Sequence, residues 1–323
     1  MFAHIDADLL VFRCGFAAER NRWYLGLDSK PLLPQGEVTR RSWQGIPDKP
    51  GCWQTIIEFD YKKELQDYLD EKLPNVETRQ EGVDYAIWSE RYLEPLSHAL
   101  HNVNNCMEDI LEKLNPTDYR CYLSGGKNFR EAVAVTREYK GNRDPSHRPT
   151  YEDQIKKHIR ENWPTMVTDG EEADDAIGYS HCAMYEEDPY STVIVTQDKD
   201  LDMLPGLHYN FVKDERYDIS EAQADRNFWY QVCTGDSTDN IPGLPGVGIA
   251  KVRKRLEHIE DEHLPSEVIS WYSGAAPAHA QDTWQDYLLE QMRLIWIRRK
   301  PGEMIELPDE GVDYEAVEVN LFD

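Results

Sequence analysis

Apolar and polar residues along this chain fall into two periods, one of strands and one of helices. The opening MFAHID is a short apolar run ending in an acid, and it predicts a strand over residues 2–6. A helix from about Asp8 to Arg20 follows, with Leu9, Leu10, Phe12, Cys14 and Phe16 as its apolar positions and Asp8 read first as its cap and only weakly as a metal ligand. Residues 21–80 mix Pro/Gly turns with aromatic strand-like pieces and a helix near 61–73, which predicts an inserted β-rich subdomain or hairpin. From Tyr85 to Leu114, apolar residues at Ile87, Leu93, Leu96, Leu100, Val103, Met107, Ile110 and Leu111 predict one long helix packed on the main sheet. DYRCYL reads as the next strand. DGEEADDAIGYSHCAMY reads as a helix with Asp169 or Gly170 near its cap and Ala173, Ala176 and Ile177 turned inward. STVIVTQD is a β-branched run bounded by polar residues, a buried strand that delivers Asp198 at its carboxyl end and Asp200 just beyond. HYNFVKD and RYDIS predict a strand pair, 221–233 a helix, and 267–272 and 282–299 two more. This alternation predicts an α/β fold, a mostly parallel central sheet flanked by helices.

The acids are not spread evenly over these elements. Glu171, Glu172, Asp174 and Asp175 open one helix, Asp198, Asp200 and Asp202 follow one strand, and Asp236 and Asp239 sit in a later loop. In an open parallel sheet the site lies beyond the carboxyl ends of the strands, so Asp6 and Asp198 aim at one crevice. Glu172 and Asp175 are three apart and share a helix face, with Asp174 beside them. Two carboxylates about 4 Å apart repel by roughly 4 kcal/mol at an effective dielectric of 20, so a converging set needs protons or a multivalent cation. Hard oxygen ligands favour Mg²⁺ or Mn²⁺. A single acid cluster would be a solvated turn or helix start; three placed this way argue for a metal centre formed by Asp6, Glu172, Asp174, Asp175, Asp198, Asp200, Asp239 and, with outer-sphere or structural roles also open to it, Asp236.

Charge sharpens the picture. The chain carries 35 Lys and Arg against 61 Asp and Glu, a net charge of −26, which argues against generic nucleic-acid binding. Yet residues 121–160 hold nine Lys or Arg, Lys127 among them, against five Asp or Glu, while residues 302–323 hold eight acids and no Lys or Arg. That asymmetry fits a local phosphate-binding stripe on an acidic body, with a terminal acidic tail that is partly disordered or packs as an extended edge. The six cysteines have no CxxC spacing and read as free thiols of a reducing cytoplasm. No apolar run of membrane-spanning length and no leader-like segment is present, so a soluble, untargeted, cytoplasmic protein without a membrane partner is expected. Trp23, Trp43 and Trp53 suit core packing better than base stacking.

GEEADDAIG, VTQDKDL and GDSTDNIPGLPGVGIAK, in that order and spacing, resemble the flap endonuclease and 5′→3′ exonuclease family, with phage and bacterial 5′ nucleases the nearest likeness. The resemblance covers residues 1–20 and about 118–260. It implies a PIN-like 5′-nuclease catalytic domain over 1–205, with the insertion at about 21–80 and a basic arch at about 127–163. A helix–hairpin–helix DNA-binding domain over 206–300 and the acidic tail 301–323 would follow. It implies a metal-dependent nuclease, using two or so Mg²⁺ or Mn²⁺ ions, that cuts DNA near 5′ ends, flaps or single-to-double-strand junctions during replication, with a phage as the expected source and replication proteins as expected company. Arg130, Lys140 and Arg143 match the family's phosphate-gripping positions. In GDSTDNIPGLPGVGIAK, Gly243, Gly246, Val247 and Gly248 with Lys251 would bring backbone N–H groups and charge to a DNA phosphate, and the resemblance adds a K⁺ site there. One departure stands out: where relatives end the DYRCYL strand with a metal-binding Asp, this chain has Ser124. A 5′-nuclease-like DNA-binding protein with weak catalysis and an RNA-directed PIN-like nuclease are the competing expectations.

Overall fold

The computed structural model describes residues 1–27, 55–72, 85–144, 147–277 and 282–308. Trp43, Trp53 and the tail beyond residue 308 lie outside the described residues. The chain divides into two compact units, Met1–Phe12 with Val103–Asp323, and Arg13–Asn102.

The larger unit is built on a six-stranded sheet. In chain order it contributes β1 (Phe2–Asp6) and the start of α1 (Ala7–Ala17), and later the end of α3 (Leu96–Leu114), β5 (Asp118–Leu123), α4 (Arg130–Val133) and α5 (Glu152–Asn162). Then come β6 (Thr165–Val167), α6 (Ala173–Glu187), β7 (Thr192–Val195), β8 (Gly206–Asn210) and β9 (Glu215–Ile219). α7 (Glu221–Thr234), α8 (Ile249–Leu256), α9 (Leu264–Ala275) and α10 (Trp284–Ile295) complete it. The strand order is β6-β5-β1-β7-β8-β9, parallel throughout except for the β8–β9 hairpin. From β1 the chain builds outward on one side to β5 and β6, then returns to place β7 on the other side. The order therefore reverses at β1 and β7, the strand pair whose carboxyl ends carry Asp6 and lead to Asp198. A crevice opens at such a reversal point.

Apolar burial follows the predicted periods. Ala3 and Ile5 of β1 and Val193, Ile194 and Val195 of β7 are fully buried, as expected for central strands covered on both faces. A second core joins α7, α8, α9 and α10 around Phe228, Val232, Val252, Tyr272 and Leu288, and Ile305 and Leu307 of the early tail pack against it.

The smaller unit is an antiparallel sheet, β3-β2-β4, from β2 (Glu19–Leu27), β3 (Thr55–Phe59) and β4 (Tyr85–Leu93). Leu25, Ile57 and Leu65 form its core with Trp23, Phe59, Tyr68 and Leu69, so α2 (Lys62–Lys72) covers the sheet and Trp23 packs there as expected. The segment 21–80, read as an inserted β-rich subdomain, falls within the compact unit Arg13–Asn102.

Three expectations are corrected. Tyr85–Leu93 is strand, not the first half of a helix: it pairs with β2 over nine residues, and Pro95 separates it from α3, where the residue before a proline is pushed out of helical conformation. α6 begins at Ala173 with Glu172 as its N-cap, rather than near Asp169 or Gly170. The sheet also runs on through the boundary expected at 205 and 206, because β8 and β9 extend it. Among the described residues no helix is long and apolar enough to cross a membrane.

Candidate functional site

Beyond the carboxyl ends of β1 and β7 the chain forms a cavity of about 830 Å³, lined by Tyr139, Lys140, Arg143, Glu172, Asp174, Asp198, Asp200, Asp236 and Asp239 among others. Asp6, at the carboxyl end of β1, is 3% exposed. The Leu9 N–H donates to Asp6 Oδ1 at 3.2 Å, so Asp6, not Asp8, caps α1. Its second oxygen accepts from the Thr196 hydroxyl at 2.9 Å. The same hydroxyl accepts from the Asp198 N–H at 2.9 Å, and Asp198 Oδ1 accepts from the Asp200 N–H at 3.0 Å. Thr196 therefore ties the end of β1 to the turn after β7, and the acids on both are held by short backbone bonds.

These carboxylates feel each other. Burial, then the charge of Asp8, pushes Asp6 up to about 7. Burial, then Asp198, pushes Asp200 up to about 7 as well. Asp174 is driven well above the usual carboxylate range by burial and by Asp6, Asp198 and Glu172, and Asp198 is raised mainly by burial. Among the described residues, none of these four forms a salt bridge. Gln231 Nε2 donates to Asp200 at 3.0 Å, a neutral partner that offsets little of this charge.

The opposite edge of the cavity is compensated. Lys140 pairs with Glu172 and lies 3.5 Å from Asp239, and Arg143 pairs with Asp239. The Tyr139 hydroxyl reaches Asp239 at 2.8 Å and Glu172 at 3.1 Å. Burial and the two carboxylates raise the Tyr139 pKa, which keeps the phenol a donor. Lys140 has φ +57°, a left-handed conformation uncommon for a non-glycine residue, and its N–H donates to the Asp239 carbonyl at 2.9 Å. Strained backbone of this kind collects at functional sites, where surrounding contacts hold it in place.

One sequence expectation changes here. Asp175 is fully buried and turned away from the cavity: Arg130 donates to both its oxygens, at 2.6 and 3.0 Å, and the Arg298 N–H adds a third bond at 3.2 Å. It also accepts from the Glu172 N–H, so the three-residue spacing of Glu172 and Asp175 is a capping box, not a pair of ligands. Arg130, 3% exposed, donates besides to the Leu294 and Trp296 carbonyls. It joins α4, α6 and the end of α10, and it also lines the cavity, 4.0 Å from Glu172. Gly178 lets the chain pass there, since a Cβ would stand 2.4 Å from the Arg298 carbonyl oxygen.

The loop from α7 to α8 closes on itself through backbone bonds between Asp236 and Ile241. Asp236 Oδ1 accepts from the Thr238 N–H at 2.7 Å, the side-chain turn that makes it a structural acid. Gly243, expected to face a phosphate, is buried instead: its N–H donates to Gln291 at 3.1 Å and its carbonyl accepts from Tyr287 at 2.6 Å. It must be glycine because a Cβ would sit 2.3 Å from the Gly235 nitrogen. Gly246 (φ +66°) and Gly248, the α8 N-cap, are exposed with open space around them, Val247 is half-buried against the core, and Lys251 and Lys127 are exposed.

The acids share one cavity without closing on one point. Among the described residues, the exposed group Glu260, Glu262 and His263 is the one set whose ligand atoms all lie within 4.8 Å of one another. The cavity acids are therefore spaced as mutual repulsion requires. That spacing fits a hydrated divalent ion, which retains several waters and takes one or two carboxylates directly. The uncompensated, hard-oxygen set of Asp6, Asp174, Asp198 and Asp200 matches that chemistry. Tyr139, Thr196 and Gln231 are parts of the site that sequence reading missed; each is an isolated polar residue whose role depends on a partner far away in the chain.

Residues 94–228 match the family described as 5′-3′ exonuclease, N-terminal resolvase-like domain. DNA polymerase I of Rhizobium leguminosarum is 35% identical over 109 residues, 31% of this chain and 11% of that protein. DNA polymerase I of Caldicellulosiruptor bescii is 29% identical over 182 residues, 50% of this chain and 21% of that protein. The chain thus spans about a tenth to a fifth of the length of these relatives. A solved structure described as divalent metal ions (zinc) bound to T5 5′-exonuclease aligns with TM-score 0.47 and 18% identity, over 61% of this chain and 80% of that one.

Proposed function

We propose that this chain, whose residues 94–228 belong to the 5′-3′ exonuclease family, is a divalent-metal-dependent 5′ nuclease that hydrolyses DNA phosphodiesters near 5′ ends, flaps or junctions. The observation that carries this reading is the division of one cavity into two edges. Asp6, Asp174, Asp198 and Asp200 crowd together without a cation, while Lys140, Arg143 and Tyr139 stand opposite with Glu172 and Asp239.

In this reading Asp6, Asp174, Asp198 and Asp200 hold Mg²⁺ or Mn²⁺, directly or through water, with Glu172 and Asp239 at the second edge of a two-ion site. The chemistry such ions would supply there is a water of lowered pKa and stabilisation of the leaving oxygen. The chain's own groups do the rest. Lys140 and Arg143 exchange their carboxylate partners for the non-bridging oxygens of the scissile phosphate and stabilise the charge that spreads over them. Tyr139 stays protonated beside them as a neutral donor. Thr196, bonded at once to Asp6 and to the Asp198 backbone, fixes the spacing of the two strand ends. Gly246, Gly248 and Lys251, at the N-terminus of α8, grip the duplex backbone away from the cut, with Lys127 contributing charge. The α7–α8 hairpin is the place for a K⁺ ion. Replication is the setting this chemistry fits, with replication proteins as partners and the cytoplasm as location.

Ser124 favours a second reading, a junction-binding relative that does not cut. The test is cleavage of a 5′-labelled flap duplex and a blunt duplex in Mg²⁺, against EDTA and an Asp174→Ala control. The expected result is Mg²⁺-dependent release of short 5′ fragments, absent in the control. Junction binding without cutting in either Mg²⁺ or Mn²⁺ would establish the second reading instead.

A further inference from the structure

β5 reaches the same edge of the sheet as β1 and β7, yet ends in a neutral residue. Ser124 spends its polar atoms on neighbours: its hydroxyl accepts from the Ala173 N–H at 2.9 Å, and its own N–H donates to Asp8 Oδ2 at 2.9 Å. Ala173 is the residue before Asp174. A chain of bonds thus runs from Asp8 through Ser124 to the first turn of α6, and sets the Asp8 carboxylate by one oxygen only. The other oxygen, Asp8 Oδ1, is buried and has no hydrogen-bond partner. Its nearest cation, Lys156 Nζ, is 4.0 Å away and is bound more closely to Glu152, at 2.9 Å. Among the charges acting on Asp6, that of Asp8 is the strongest. A carboxylate oxygen sealed from water with nothing to bond is costly, and a bound ion or its water is one arrangement that satisfies such an atom.

Resting on the metal-nuclease reading above, we propose that Asp8 is a further metal-site residue, and that its Oδ1 supplies, directly or through a metal-bound water, the negative charge that the end of β5 lacks at Ser124. The carboxylate has moved from the strand end to the first turn of α1, and the Ser124 N–H holds it in place. The metal site then spans β1, α1, α6 and the turn after β7.

The test is Mn²⁺ affinity by electron paramagnetic resonance titration of the full chain, without DNA and without turnover. Four proteins are compared: wild type, Asp8→Asn, Asp8→Asn/Ser124→Asp and Asp174→Asn. Asn at 8 retains an oxygen to accept from the Ser124 N–H, and equal melting in EDTA confirms that the fold is kept. The expected result is a roughly 10- to 100-fold loss of affinity in Asp8→Asn, the range seen when a supporting group of a metal site is removed. Restoring a carboxylate at the end of β5 in the double variant should recover most of it. Unchanged affinity in Asp8→Asn, with Asp174→Asn still weakened, would overturn this proposal and leave the nuclease reading standing. A loss with no recovery in the double variant would also overturn it, since distortion of α1 would then explain the loss. No Mn²⁺ binding in the wild type would overturn both readings.

Discussion

Asp174 and Asp175 are neighbours in the chain and opposites in the molecule. Asp174 faces Asp6, Asp198 and Glu172 with no cation on it, whereas Asp175, fully buried, is gripped by Arg130 and by two backbone N–H groups. One turn of α6 therefore serves an open floor of unspent charge on one side and a closed ionic joint on the other. The difference arises from helix geometry, because successive residues point about 100° apart. It teaches that an acid-rich motif is not one functional set. The first group stores electrostatic repulsion that a ligand relieves, and the second removes repulsion so that the fold can close.

The largest contrast concerns catalysis. Asp174→Ala or Asp198→Ala should lower Mg²⁺-supported flap cleavage by roughly 10³-fold, several kcal/mol of lost charge stabilisation, measured under single-turnover conditions. The joint should fail in stability instead. Arg130→Ala should cost about 3–5 kcal/mol in urea denaturation, because Asp175 is left charged and buried without a partner. If Arg130→Ala melted like the wild type and lost only cleavage, Arg130 would be a phosphate ligand and the joint a misreading. On the compensated edge, Lys140→Ala should slow cleavage by about 10²-fold, the scale of a single transition-state donor, with denaturation midpoints little changed.

Acidity separates two further regions. Asp6 and Asp200, with folded pKa values raised to about 7, bind more protons folded than unfolded, so the stability tied to them is full below about pH 4 and is lost as pH rises to 7. His4 and His181 behave oppositely. Burial lowers them to about 3 and about 4, so the stability tied to them is full above pH 6.5 and is lost as pH falls toward 4. Each group contributes a slope of up to about 1.4 kcal/mol per pH unit, and between pH 4.5 and 6.5 the two regions oppose each other. Because Asp174 and Asp198 are raised as well, the acids outweigh the histidines, so denaturation midpoints across that window should fall with pH in EDTA and should rise with pH once saturating Mg²⁺ neutralises the acids. The same rising slope in EDTA would mean that the cavity acids carry no repulsion.

How far the sequence carried this account depends on the range of the interactions. β1, β5, β7 and the β8–β9 pair were legible because their apolar runs are local, and so were Asp6, Asp174, Asp198 and Asp200, because strand ends and helix starts place them. The bond between Asp175 and Arg130 was not legible because the two lie 45 residues apart, a distance that no local pattern spans. Gly243 was misread for a related reason: no local pattern showed that Gly235 lies against it. The strand at Tyr85–Leu93 was hidden by apolar spacing that continued into α3, and Pro95 was the signal that could have divided them. Tyr139 offered no local signal; its meaning lies in reaching Glu172 and Asp239 together.

The central claim is that the uncompensated floor of the cavity is a divalent-metal site kept apart from the joint behind it. Thermal denaturation of wild type and Asp174→Asn at pH 8, each in EDTA and in Mg²⁺ at about 100 times its dissociation constant, tests it most directly. Mg²⁺ should stabilise the wild type by about 2.7 kcal/mol, a rise of roughly 4 °C for a chain of this size. In EDTA, Asp174→Asn should melt at or above the wild-type temperature, because a repelled buried charge is gone, and Mg²⁺ should then add little. An equal Mg²⁺ response in both proteins, or an Asp174→Asn variant less stable than wild type in EDTA, would contradict the account.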